Sequence, residues 1–158
     1  MLTTAQLQTL KANIEADPAL AAQPLNSDGA FAIAAAYNLN AAPDFTAWKT
    51  TVDSQTIMEN GFVWTAVDSL TVGKARIWDW MTRYGSFSPA KANVRQGLID
   101  AFGAGTAMAT AIAPHLKRLA TRAERLFATG TGSVASPGTL TFEGGLTYQE
   151  VETARELP

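Results

Sequence analysis

Four basic side chains, Lys117, Arg118, Arg122 and Arg125, fall within nine residues of a 158-residue chain that carries 12 bases in all. On a helix, Arg118, Arg122 and Arg125 would stand at i, i+4 and i+7 and share one face. Guanidinium groups aligned in this way can grip phosphates, or the carboxylates of a neighbouring subunit, through charge-assisted hydrogen bonds. A solvated face partly compensated by Glu124 is the plainer use of the same residues. Trp78 and Trp80 raise a related question. Two residues apart on a helix, they point about 200° apart. Trp80 is expected in the apolar stripe and Trp78 off it, which makes Trp78 a candidate interface residue, with burial by a second neighbouring helix as the alternative.

Other chemistries lack their residues. The chain has no cysteine and one histidine, which excludes a disulfide framework, a thiolate metal site, a cysteine nucleophile and a multi-histidine metal cluster. Gly103-Ala104-Gly105 and Gly130-Thr131-Gly132 lack the Gly-Lys-Ser/Thr continuation of a phosphate cradle, and the second pair leaves a helix where a cradle would open one. His115 has no nucleophile motif beside it. The carboxylates sit mostly at expected helix starts, where they serve caps and dipoles. A small hydrolase would therefore rest on unspecified carboxylates alone. No catalytic, cofactor-binding or metal residue is expected, and the protein is read as a non-enzyme.

Charge is uneven along the chain. Residues 1–73 hold seven acids and two bases, residues 74–125 three acids and nine bases, and the remainder four acids and one base. Such alternation suits contact between unlike surfaces of neighbouring copies; folding that interleaves the segments would cancel it. Hydrophobic residues make up 47% of the chain, but 29 of the residues are alanine, which favours close helix packing over bulky cores. Met1-Leu2-Thr3-Thr4 does not resemble a secretion signal, and no run approaches the ~18–20 apolar residues of a membrane span. The expectation is an aqueous compartment and no membrane partner.

The elements that would position these residues are helices. Leu7, Leu10 and Ile14 follow Thr3-Thr4 at helical spacing, and Asp17-Pro18 ends or restarts that helix. Ala30–Tyr37 forms a second, ending near Asn38. Pro43-Asp44 opens a short helical piece with Phe45 and Trp48, and Asp53 or Ser54 caps another that runs to Asn60-Gly61. Thr71–Tyr84 carries Ile77, Trp80, Met81 and Tyr84 on one stripe, with Gly85 as its stop. Ser88-Pro89 starts the next helix, with Val94, Leu98, Ile99 and Phe102 buried. A long helical region spans Thr106–Phe127, with Pro114 as a kink or a new first turn. Beyond Phe127, Ser133-Val134-Ala135 and the alternating Thr139–Phe142 flank Pro137-Gly138 as a β-hairpin. Thr147 and Glu150 form a capping box for a terminal helix over Tyr148–Leu157.

The fold class expected is mainly α: a bundle of about five to seven helices with a C-terminal β-hairpin and a short terminal helix. Within a single domain, residues 1–128 form the helical body, 129–145 a hairpin or extended arm, and 146–158 the terminal helix. Leu140, Phe142, Tyr148 and Val151 on the arm and terminal helix join Trp78, Lys117, Arg118, Arg122 and Arg125 as candidate interface residues.

The block Trp78-Asp79-Trp80-Met81 through Pro89–Arg95, the run Leu119–Phe127 and the closing Leu146–Val151 together resemble a family of small tailed-bacteriophage proteins similar to virion proteins of the head-to-tail region. The resemblance covers about the last 80 residues well and the N-terminal half loosely. It implies a structural subunit of the virion, assembled in the host cytoplasm: an adaptor or connector in a homo-oligomeric ring between portal and tail components, with DNA passing through the channel as a further contact. It transfers no functional residue. The alternative is a nucleic-acid-binding regulator that uses the 117–125 basic face; near-neutral net charge and the lack of a recognisable DNA-reading turn stand against it.

Overall fold

Polar pairs fix most helix starts. Thr3 and Gln6 form a reciprocal capping box at the head of α1 (Thr4–Ala16), and Asp17 accepts from the amides of Ala19 and Leu20 to start α2 (Pro18–Ala21), with proline in the first turn. Asn26 caps α3 (Ser27–Asn38). The computed structural model describes residues 1–158. The chain is mainly helical and packs as two units, one built from residues 1–46 and 119–158, the other from 47–118. This division differs from the sequence expectation of a body ending at 128 and an arm ending at 145.

The first unit contains α1, α2 and α3 and, after the chain returns, α9 (Arg122–Leu126) and α10 (Tyr148–Glu156). Both late helices begin in capping boxes, Thr121 with Glu124 and Thr147 with Glu150. Leu10, Ile14, Ile33, Tyr37, Leu146, Val151 and Ala154 form one apolar cluster, so α10 completes the core of its own unit. Gly29 lets α3 meet the preceding turn: a Cβ there would lie 2.1 Å from the Pro24 carbonyl oxygen. Asn38 receives the Leu146 amide (2.7 Å) and donates to the Leu146 carbonyl (3.0 Å), pinning the approach to α10.

The second unit holds α4 (Ser54–Glu59), α5 (Trp64–Asp68), α6 (Val72–Thr82), α7 (Ala92–Phe102), α8 (Ala107–Ile112) and a 3₁₀ turn over Ala113–Leu116. β2 (Val52–Asp53) runs antiparallel to β3 (Ser86–Phe87), with Val52 opposite Phe87. Val52, Ile57, Phe62, Phe87, Leu98, Phe102, Met108, Ile112 and Leu116 make its core. Helices α6 and α7 approach closely at Gly97, where a Cβ would stand 3.1 Å from the Met81 sulfur. The chain passes between units within β1 (Thr46–Trp48) and β4 (Lys117–Leu119).

Several expectations are corrected. The Pro43-Asp44 piece is not helical: Phe45 precedes β1, and its carbonyl accepts the Ala120 amide at 2.8 Å. Thr106–Phe127 is four short elements, which with α5 raises the helix count to ten. Pro114 has no amide for an i→i−4 bond, and the amides of Ala120 and Arg122 go instead to the Phe45 and Leu39 carbonyls. The seventh helix starts at Ala92 rather than Ser88-Pro89. The C-terminal hairpin reduces to a single Thr129–Thr139 bridge. Pro137 and Gly138 are buried. The Thr46 amide donates to the Gly132 carbonyl (2.6 Å) and the Gly138 amide to the Thr46 carbonyl (2.8 Å), so this loop is latched onto its unit rather than projected as an arm.

Candidate interaction site

The basic run does not share a helix face. Lys117 and Arg118 lie in β4 of the second unit, while Arg122 and Arg125 belong to α9 of the first. Arg122 donates through Nη2 to the Asp17 carboxylate at 2.8 Å and lies over the Tyr37 ring, 4.6 Å from its centroid. Tyr37 donates in turn to the Asn13 side-chain oxygen at 2.6 Å. The hydrogen bond from Arg122, foremost, holds the Asp17 carboxyl below its ordinary value against the opposing effect of desolvation. Burial pushes the Tyr37 phenol up. Arg125 donates to the Pro43 carbonyl at 3.0 Å. A cleft of about 770 Å³ opens beside these groups, lined also by Leu39, Asn40 and Leu126. Arg122 therefore ties α9 to the start of α2 within one chain, and its charge is matched there.

None of the C-terminal candidates is fully exposed. Val151 is fully buried, Phe142 packs edge-on against Phe127 at 5.5 Å, and Tyr148 stacks on Phe31 at 4.1 Å. Leu140 is half-buried. Burial alone would raise the Glu150 carboxyl, but hydrogen bonds from the Thr147 amide and hydroxyl and from the Leu2 amide outweigh it and hold it below its ordinary value. His115 sits on the 3₁₀ turn, and no group of three or more His, Cys, Asp and Glu side chains is placed to hold a metal ion. No helix is long and apolar enough to cross a membrane.

The tryptophans exchange their expected places. Trp78 is the packed one, stacked on Phe62 (5.4 Å) and edge-on to Phe102 (5.2 Å), with Ile77 and Met81 beside it in the second core. Trp80 is 69% exposed and Tyr84, just past the end of α6, 88% exposed. No residue of α6 is fully buried. Its outward side runs Val72, Arg76, Trp80, Tyr84 in steps of four, each step drifting about 40° round the helix, with Asp79 and Arg83 paired at 3.3 Å alongside. Two large aromatics set among guanidinium groups on one solvent-facing side form the candidate site.

The sequence reading missed this face because it oriented α6 by its aromatics. The signal was the arginines: Arg76 and Arg83 fall on the same side as Trp80, which makes that side solvated.

Charge also divides by unit, with four bases and nine acids in the first and eight bases and five acids in the second. No family model, curated protein or solved structure matches the chain.

Proposed function

We propose that the protein is a structural subunit of a tailed-phage particle, an adaptor or connector in the head-to-tail region that assembles with copies of itself and adjoins portal and tail components. The observation that carries this reading is the outward face of α6, where Trp80, with Tyr84 just past the helix end, is exposed on a helix whose opposite side is packed. Aromatic and arginine side chains concentrate binding energy at protein interfaces when they become covered. The division into an acidic and a basic unit supports contact between unlike surfaces of successive copies. The resemblance of the 78–95, 119–127 and 146–151 segments supplies the particle and its place.

A second reading has one observation of its own. Exposed aromatics interleaved with arginines can also stack single-stranded bases. This moves the nucleic-acid alternative from the 117–125 run, now divided between two units, to α6. Two measurements decide between them. Sedimentation velocity of the purified protein across a concentration series should show concentration-dependent association, and cryo-electron microscopy of the particle should place the chain between head and tail. Titration with single-stranded DNA at physiological salt should leave the tryptophan fluorescence unchanged; saturable quenching that weakens steeply with salt and is lost in Trp80→Phe would transfer the assignment to nucleic-acid binding.

A further inference from the structure

We infer that the exposed face of α6 is a self-association surface whose occupant is the acidic notch between α10 and the Leu25 turn of a second copy. The inference rests on the assembly reading above and names the two surfaces that meet.

The notch is lined by Leu25, Asn26, Glu152, Arg155 and Glu156 and encloses about 220 Å³. Leu25 is 88% exposed and forms its apolar wall. Glu152 and Glu156, one turn apart on α10, supply two carboxylates. Arg155 is held down by donating to the Pro24 and Gln23 carbonyls, both at 2.7 Å, and the Ser27 hydroxyl donates to Glu152 at 2.8 Å. The notch is thus a shaped, net-negative recess built around an uncovered leucine.

The α6 face offers the converse. Trp80 and Tyr84 are the projecting apolar groups, and Arg76 and Arg83 outnumber Asp79 around them. An aromatic knob flanked by Arg76 and Arg83 matches a leucine-walled recess where two carboxylates outnumber Arg155, in both apolar character and charge. The two surfaces differ, so the contact is head-to-tail and one copy presents a fresh α6 face to the next.

The test is a charge swap read by sedimentation velocity and native mass spectrometry. Every substituted side chain except Glu152 is exposed and Glu152 is half-buried, so circular dichroism should match wild type, with only a small drop in melting midpoint where Arg83→Glu breaks the Asp79 pair or Glu152→Lys the Ser27 bond. The pair Trp80→Ala with Tyr84→Ala should weaken self-association at least about tenfold. Arg76→Glu with Arg83→Glu, or Glu152→Lys with Glu156→Lys, should each weaken it, and mixing the two charge-reversed proteins should restore it. Association of wild type that none of these variants changes would overturn the inference and leave the assembly reading standing. A wild-type chain that stays monomeric at every concentration and is absent from the particle would overturn both.

Discussion

The two units are held by different means. In the first, polar side chains act at specific joints: all three reciprocal capping boxes lie there, Asn38 pins Leu146, and Arg122 joins Asp17. Buried Glu124 receives both the Thr121 amide (2.9 Å) and the Gly144 amide (3.0 Å). In the second, no helix starts in a reciprocal box, the core is made of larger aromatic and aliphatic side chains, and neither α5 nor α6 fully buries a residue. The exposed large apolar groups of the first unit are mainly aliphatic, Met1, Leu25, Leu39, Leu119 and Val134, with Phe31 stacked on Tyr148. A unit that relies on apolar packing and leaves two helices half-covered keeps Trp64, Trp80 and Tyr84 outside, which is where assembly contacts are to be sought.

The largest loss of stability is expected at Gly132. A Cβ there would fall 2.1 Å from the buried Phe45 ring, at φ +69°. Gly132→Ala should destabilise by about 3 kcal/mol, from clash and left-handed strain together. The control is Gly85→Ala in the second unit, with φ +79° and nothing within 4 Å of the added carbon, which should cost about 1 kcal/mol by strain alone. Equal losses in urea denaturation would mean that the 129–145 loop is not latched.

Trp78→Ala should follow, at about 2.5 kcal/mol for a half-buried indole between Phe62 and Phe102. Asn38→Ala should cost about 2 kcal/mol, because the backbone amide and carbonyl of buried Leu146 lose both bonds to that side chain. If hydrogen exchange at Leu146 is unchanged in this variant, polar joints are not what closes the first unit.

Asp17 gives the pH arm of the same comparison. Its folded pKa lies below the ordinary 3.8, so its contribution is fully present above that value and is lost as pH falls through the lowered one. Asp17→Asn should therefore lower the denaturation midpoint at neutral pH, and the gap to wild type should close as pH falls below the ordinary carboxylate value and through the lowered one. A gap that stays constant with pH would assign the loss to packing rather than to the Arg122 pair. The smallest effect is expected for Trp80→Ala, within about 0.5 kcal/mol on the monomer. A loss as large as that of Trp78→Ala would show Trp80 to be a fold residue and remove it from the interface.

Much of the first unit was legible because its joints are local. Thr3, Asp17-Pro18 and Thr147-x-x-Glu150 each mark a helix start through bonds spanning two or three residues, and the structure places helices behind all of them. The box Thr121-Arg122-Ala123-Glu124 carried the same signal and would have split the long helix expected over 106–127. The hairpin expectation failed for a different reason. Turn chemistry at Pro137-Gly138 is genuine, but the backbone partners of that loop lie near Thr46, far away in sequence.

The sequence by itself determined the helical class, the caps, the lack of cysteine chemistry and the charge imbalance, since all of these depend on residue type and short spacing. Tertiary structure alone decided which groups cover α6. Its apolar residues by themselves admit two orientations about 90° apart, and only Arg76 and Arg83 mark one side as solvated. Packing of Phe62 and Phe102 against Trp78 selected one of them. The same holds for the basic run: helical spacing would align Arg118 with Arg122, but Arg118 lies in a strand, the amides of Ala120 and Arg122 bond to the Phe45 and Leu39 carbonyls, and a new helix starts at Arg122, so the two arginines belong to different units.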